Sequence, residues 1–153
     1  MTRRRIGILL ILAIAVALGA VRDFLLVNLN YQIDFVEHHR TVSYAHSLFR
    51  GWTEGLGLGA LIRLKWALAV AMSASMLVLC IGMARLVFGD HRYRTALVIG
   101  FGAVGALALV LQALSAQLPP LYGVSVKLLH LLQYPVVLFL LWAAALLPDR
   151  RSE

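Results

Sequence analysis

The residues best placed to do chemistry lie inside an apolar stretch, 121–147, that is otherwise mostly Leu, Val and Ala. Its first half carries Lys127, His130, Gln133 and Tyr134, followed by Pro135. At about 100° per residue, Lys127, His130 and Tyr134 fall within roughly a 60° arc, one polar stripe on an apolar helix. Ionisable groups at membrane depth are costly and ordinarily face a bundle interior or a wet cavity. A lysine beside an imidazole suits two tasks, holding an anion such as phosphate and moving a proton. Catalysis would also need a nucleophile or carboxylate beside His130, and Asp23 is the one carboxylate expected near that depth. A bis-histidine haem would need a second histidine inside the membrane, and the others fall in expected loops. No cofactor is expected.

Other polar groups stand at the ends of apolar stretches. Arg22 and Asp23 close the first. Either they form an interfacial pair whose arginine snorkels to headgroups, or Asp23 neutralises one of several cations at its depth. Arg63 and Lys65 open another stretch, about 200° apart around a helix, so they cannot both face a bundle. At most one is a site candidate, and Lys65 is carried as such.

Several chemistries are closed or disfavoured. The single cysteine, Cys80, excludes an intrachain disulfide, a CxxC redox pair and a thiolate zinc site. It reads as a small buried apolar residue. His39 and His46, with Glu37, could share a helix face, but no H-E-x-x-H or i, i+4 histidine pair occurs, and no metal is expected. Gly51, Gly55, Gly57 and Gly59 are not followed by Gly-Lys-Ser/Thr, so they read as flexible re-entry into a membrane rather than a phosphate loop.

The elements that must position these groups are helices. Of 153 residues, 61 % are hydrophobic and 14 % charged, and the mean hydropathy is +0.86. A soluble domain of this length could not cover so much apolar surface. The expectation is an all-α polytopic membrane protein, one domain with four transmembrane helices at about 6–27, 61–88, 95–116 and 121–147. An amphipathic extracytoplasmic segment, 28–60, would join the first two. Within it Ile33, Val36, Arg40, Tyr44, Ser47 and Leu48 recur at helical spacing, as in a helix lying on a membrane surface. Residues 6–21 behind Arg3-Arg4-Arg5 also resemble a signal peptide. The apolar continuation Phe24-Leu25-Leu26-Val27 favours a retained helix. Small-residue stripes, Ala13/Ala17/Ala20, Ala67/Ala71/Ala74 and Gly102-x-x-x-Ala106, suggest close helix packing. Pro119-Pro120 breaks the chain before the last helix.

The net charge of +7 follows the helix ends and forms no nucleic-acid patch. Arg3, Arg4, Arg5, Arg85, Arg92, Arg94, Arg150 and Arg151 gather in short segments on one side, which places both termini in the cytoplasm and the long segment outside. With that orientation Arg22, Asp23, Arg63, Lys65, Gln112, Gln117, Lys127 and His130 fall in the outer halves of the helices. A cationic cluster there suits a lipid phosphate.

Arg22-Asp23-Phe24 with Val27-Asn28-x-Asn30, the triplet Leu64-Lys65-Trp66, and Leu131-Leu132-Gln133-x-Pro135 together resemble a family of uncharacterised small four-helix integral membrane proteins of bacteria, of the Bacteroidetes type. The resemblance covers most of the chain and implies that architecture, with no activity attached. The functional expectation is a non-catalytic protein of a bacterial inner membrane, either an accessory subunit of a complex or a lipid-headgroup binder. Its candidate anion site comprises Arg22, Asp23, Lys65, Lys127, His130, Gln133 and Tyr134. The alternative is an enzyme or transporter acting on a lipid-linked phosphate, with Lys127 and Arg22 on the anion and His130 moving a proton. Expected partners are membrane lipids and other membrane subunits or a second copy, and no nucleic acid.

Overall fold

A computed structural model describes residues 3–89 and 92–146, apart from the side chains of Arg92 and Ala145. Among the described residues the protein is all-helical. It has six helices and no strand: α1 (Arg3–Glu37), α2 (Ser47–Thr53), α3 (Leu58–Phe88), α4 (Arg92–Leu114), α5 (Pro120–Gln133) and α6 (Val136–Leu146). Three helices are long and apolar enough to cross a membrane, and a fourth span exists if the bent pair α5–α6 counts as one. That fits a multi-pass membrane protein.

Helix ends follow local chemistry. α1 runs ten residues beyond the expected end at residue 27 and stops where His39 takes a left-handed φ of 47°. The Arg40 N–H then reaches back to the Phe35 carbonyl at 3.1 Å, the wrap of a Schellman terminus made without glycine. The single amphipathic helix expected across residues 32–50 therefore does not form. Ile33 and Val36 end α1, residues 38–46 are non-helical, and Ser47 and Leu48 begin α2. Gly55 and Gly89, at φ 77° and 69°, allow the chain to leave α2 and α3.

The last expected helix, 121–147, is broken. Pro135 has no N–H to offer, and Tyr134 before it is extended (φ −95°, ψ 155°), as a residue preceding proline prefers. α5 and α6 consequently meet at a bend of 52°.

The chain divides into two compact units. In one, formed by residues 1–16 and 73–153, the start of α1 runs antiparallel to the end of α3. The Arg4 guanidinium donates to the Val87 carbonyl. A Cβ on Gly7 would meet Leu86 Cδ1 at 3.0 Å, and one on Gly82 would meet Ile11 Cδ1 at 3.5 Å. Met76, Cys80, Met83, Ala84 and Val87 form the buried stripe of α3. In the same unit α4 and α5 form a hairpin through Pro119-Pro120, where the fully buried Ser125 hydroxyl donates to the Ala108 carbonyl at 2.8 Å.

The second unit, Ala17–Met72, has a core of Leu29, Ala45, Phe49 and Leu61, with Leu25, Ile33, Val36, Leu64 and Leu68 packed against it.

The small-residue stripes are not where packing occurs. Ala13, Ala17, Ala20, Ala67, Ala71 and Ala74 are exposed, as are Gly102 and Ala106. α1 buries Ala15 instead, and α4 turns Gly105 and Ala108 toward α5. Composition shows which residues permit close approach, but the register depends on the partner helix. Ala108→Leu should overpack the α4–α5 contact at a cost of about 1–3 kcal/mol, whereas Ala106→Leu should be nearly neutral. Equilibrium unfolding in mixed micelles reads the difference, and equal effects would place the contact face elsewhere.

Candidate functional site

The candidate residues fall into two groups, one in each unit. Arg22, Asp23 and Lys65 belong to Ala17–Met72; Lys127, His130, Gln133 and Tyr134 belong to the other.

In the first group the Arg22 guanidinium Nη1 donates to Asp23 Oδ1 at 2.6 Å, with the arginine side chain 6 % exposed and the carboxylate side 48 % exposed. A charge this deep is retained only if it is paired. The neighbouring carboxylate supplies that pairing while keeping half its own surface open. On α3, Arg63 is exposed and Lys65 half-buried, as their angular separation requires.

Just beyond Arg22, α1 carries buried polar residues, Asn28 and Gln32, in a stretch expected to be loop. Asn28 uses both ends of its amide: Nδ2 donates to the Phe24 carbonyl at 2.7 Å, and Oδ1 accepts from the His46 N–H at 2.6 Å. One turn on, Gln32 Oε1 accepts from the Ser43 hydroxyl at 3.0 Å, and Ser43 Oγ in turn accepts from the Ala45 N–H at 3.3 Å. Residues 38–46 are thereby strapped along α1. Asp34 anchors the far end, accepting from Arg40 Nε at 2.9 Å and lying 3.1 Å from His38 Nδ1. The signal was legible in principle, since Asn28 and Gln32 are four apart and share a helix face. It was hidden by ending the helix at residue 27.

His39 and His46 do not share a helix face, since one follows α1 and the other precedes α2. His46 caps α2, its Nδ1 accepting from the Leu48 N–H at 3.3 Å, and its ring stands edge-on to Phe24 at 5.7 Å. Glu37 and His39 are exposed. Among the described residues no three His, Cys, Asp or Glu side chains gather as a metal ligand set.

In the second group, α5 buries Ser125, Leu132 and Gln133 and leaves Lys127 and His130 exposed. Their side of α5 is thus not the side that packs on α4. The His130 and Tyr134 rings meet edge-to-face at 5.9 Å, one turn apart, at the point where α5 breaks. Gln112 on α4 is half-buried, and its carbonyl accepts from the Ser115 hydroxyl at 2.6 Å. Comparisons with protein-family models, curated proteins and solved structures return no match to this chain.

Asn28→Ala should cost about 0.5–1.5 kcal/mol, because the part-buried His46 N–H loses its acceptor. Amide hydrogen exchange should show residues 43–48 losing protection while α4 and α5 keep theirs. Unchanged exchange at His46 would show that the strap holds without this bond.

Proposed function

We propose that this is a non-catalytic multi-pass protein of a bacterial inner membrane that holds the anionic headgroup of a lipid. The observation that carries the reading is the position of Lys127 and His130, exposed on the side of α5 opposite its buried Ser125 and Leu132. In a bilayer a lysine there requires an anion or a route to the headgroup layer. A phosphate supplies the anion, and His130 and Tyr134 can donate hydrogen bonds beside it. Arg22 is already engaged by Asp23, which favours a binding site on α5 over an enzyme or transporter that needs Lys127 and Arg22 on one anion.

A second role, as accessory subunit, draws on a separate observation. The most apolar windows of α1, α3 and α4 are only 17 %, 28 % and 11 % buried. Lipid covers such surface, and so does another membrane subunit or a second copy. Both termini are placed in the cytoplasm by the positive-inside rule.

Native mass spectrometry of gently extracted wild type, Lys127→Ala and His130→Ala distinguishes these readings. The expected result is a co-purifying anionic lipid that is lost from both variants. A retained protein partner with no lipid difference between wild type and variants would transfer the function to a complex.

A further inference from the structure

The strap has a direction, and the direction sets where α2 lies. α1 continues about 22 Å past Arg22 as a helix and ends at Glu37. The chain then turns back along it. Ser43 meets Gln32 at 3.0 Å, Tyr44 meets Tyr31 at a ring distance of 6.2 Å, and His46 meets Asn28 at 2.6 Å and Phe24 at 5.7 Å. Each step toward α2 contacts α1 nearer its apolar part. His46, the N-cap of α2, thus stands level with the 24–28 turn of α1, within about two turns of the Arg22–Asp23 pair, where the apolar run 6–21 ends.

α3 gives the same level independently. Leu61 shares the core of Leu29 and Phe49, and Lys65-Trp66 follow one turn further toward the apolar part of α3. Lysine and tryptophan side by side are interfacial anchors. α2 is therefore held level with the polar ends of two candidate spans.

At that level α2 buries one side and opens the other. Phe49 is 2 % exposed, against 61 % for Leu48 and 67 % for Trp52. Leu48 and Trp52 are four apart and share a face, and Arg50, also exposed, is two residues from each and so lies roughly 160° round the helix from them. That face carries what a headgroup–acyl boundary takes, an aliphatic chain and an indole with one N–H, and Arg50 across the helix puts a cation on the side turned to the headgroup layer.

We infer that α2 is an interfacial element whose Leu48 and Trp52 insert into the phospholipid surface on the side of the membrane where α1 ends, with Arg50 at headgroup phosphates. The strap sets its depth, so the element reports the membrane surface at a fixed distance from Arg22. The inference rests on the multi-pass reading and uses no residue of α5, so loss of the proposed headgroup site on α5 leaves it standing.

The test is Trp52 fluorescence in a Trp66→Phe, Trp142→Phe background, reconstituted in phosphatidylcholine vesicles brominated near the carbonyl end of the acyl chains. The expected result is strong quenching by the brominated lipid and loss of quenching by aqueous acrylamide. Quenching by acrylamide with none by bromine overturns the inference, since α2 would then face water. Protection from both also overturns it and assigns the face to a protein partner, including a second copy. If the tryptophan replacements disturb folding, Leu48→Cys in a Cys80→Ala background, labelled with an environment-sensitive dye, gives the same readings.

Discussion

The Asn28 amide is the interaction on which the Ala17–Met72 unit turns. A chain reversing alongside a helix must find acceptors for its N–H groups, because the helix backbone is already paired with itself. Side chains must provide them. Asn28 satisfies the His46 N–H with one end and ties its other end to the Phe24 carbonyl, so its rotamer is fixed from both directions. Gln32 repeats the arrangement one turn on through Ser43. Only with the strap held in this way do Ala45 and Phe49 reach Leu29 and Leu61 to close a core. Polar satisfaction precedes apolar packing here.

The other unit solves the same problem differently. Within it, α4 and α5 approach closely because Gly105, Ala108 and Ser125 are small, and the Ser125 hydroxyl lands on a carbonyl already bonded in its helix. α3 offers methionines and Cys80 to its buried side. These are unbranched or compact side chains that conform to irregular neighbours and need no hydrogen-bond partner. The two units thus use a polar strap and small or soft apolar contacts, respectively.

The helical class, the positions of the apolar segments and the break at Pro119-Pro120 were legible in the sequence, because length and hydropathy act locally and strongly. The opposed placement of Arg63 and Lys65 followed from angular arithmetic alone. The end of α1 was not legible. Asn28, Asn30 and Gln32 look like loop residues, and a helix terminating on His39 without glycine carries no common stop signal. The bend at Pro135 was signalled by the proline, yet its residue falls within an apolar run long enough to pass for one span. The packing register was illegible for a different reason, since alanine stripes occur on every face of such helices and the partner selects among them. For the candidate residues, the sequence identified Arg22 and Asp23 as possible partners of each other. It put Lys127 and His130 on one stripe of the last helix but did not place that stripe on the side of α5 that faces away from α4.

The strap has one more consequence, which concerns the order of assembly. Its bonds join residues 11 and 18 positions apart, and Leu61 completes the core of that unit. Short loops close quickly and at small entropic cost. During synthesis, which proceeds from the N-terminus, everything this unit requires has been made before the first residue of α4. The α4–α5 hairpin is equally self-contained, its Ser125–Ala108 bond spanning 17 positions. A truncated chain ending near the middle of α3 would thus already contain every residue that holds α2 in place.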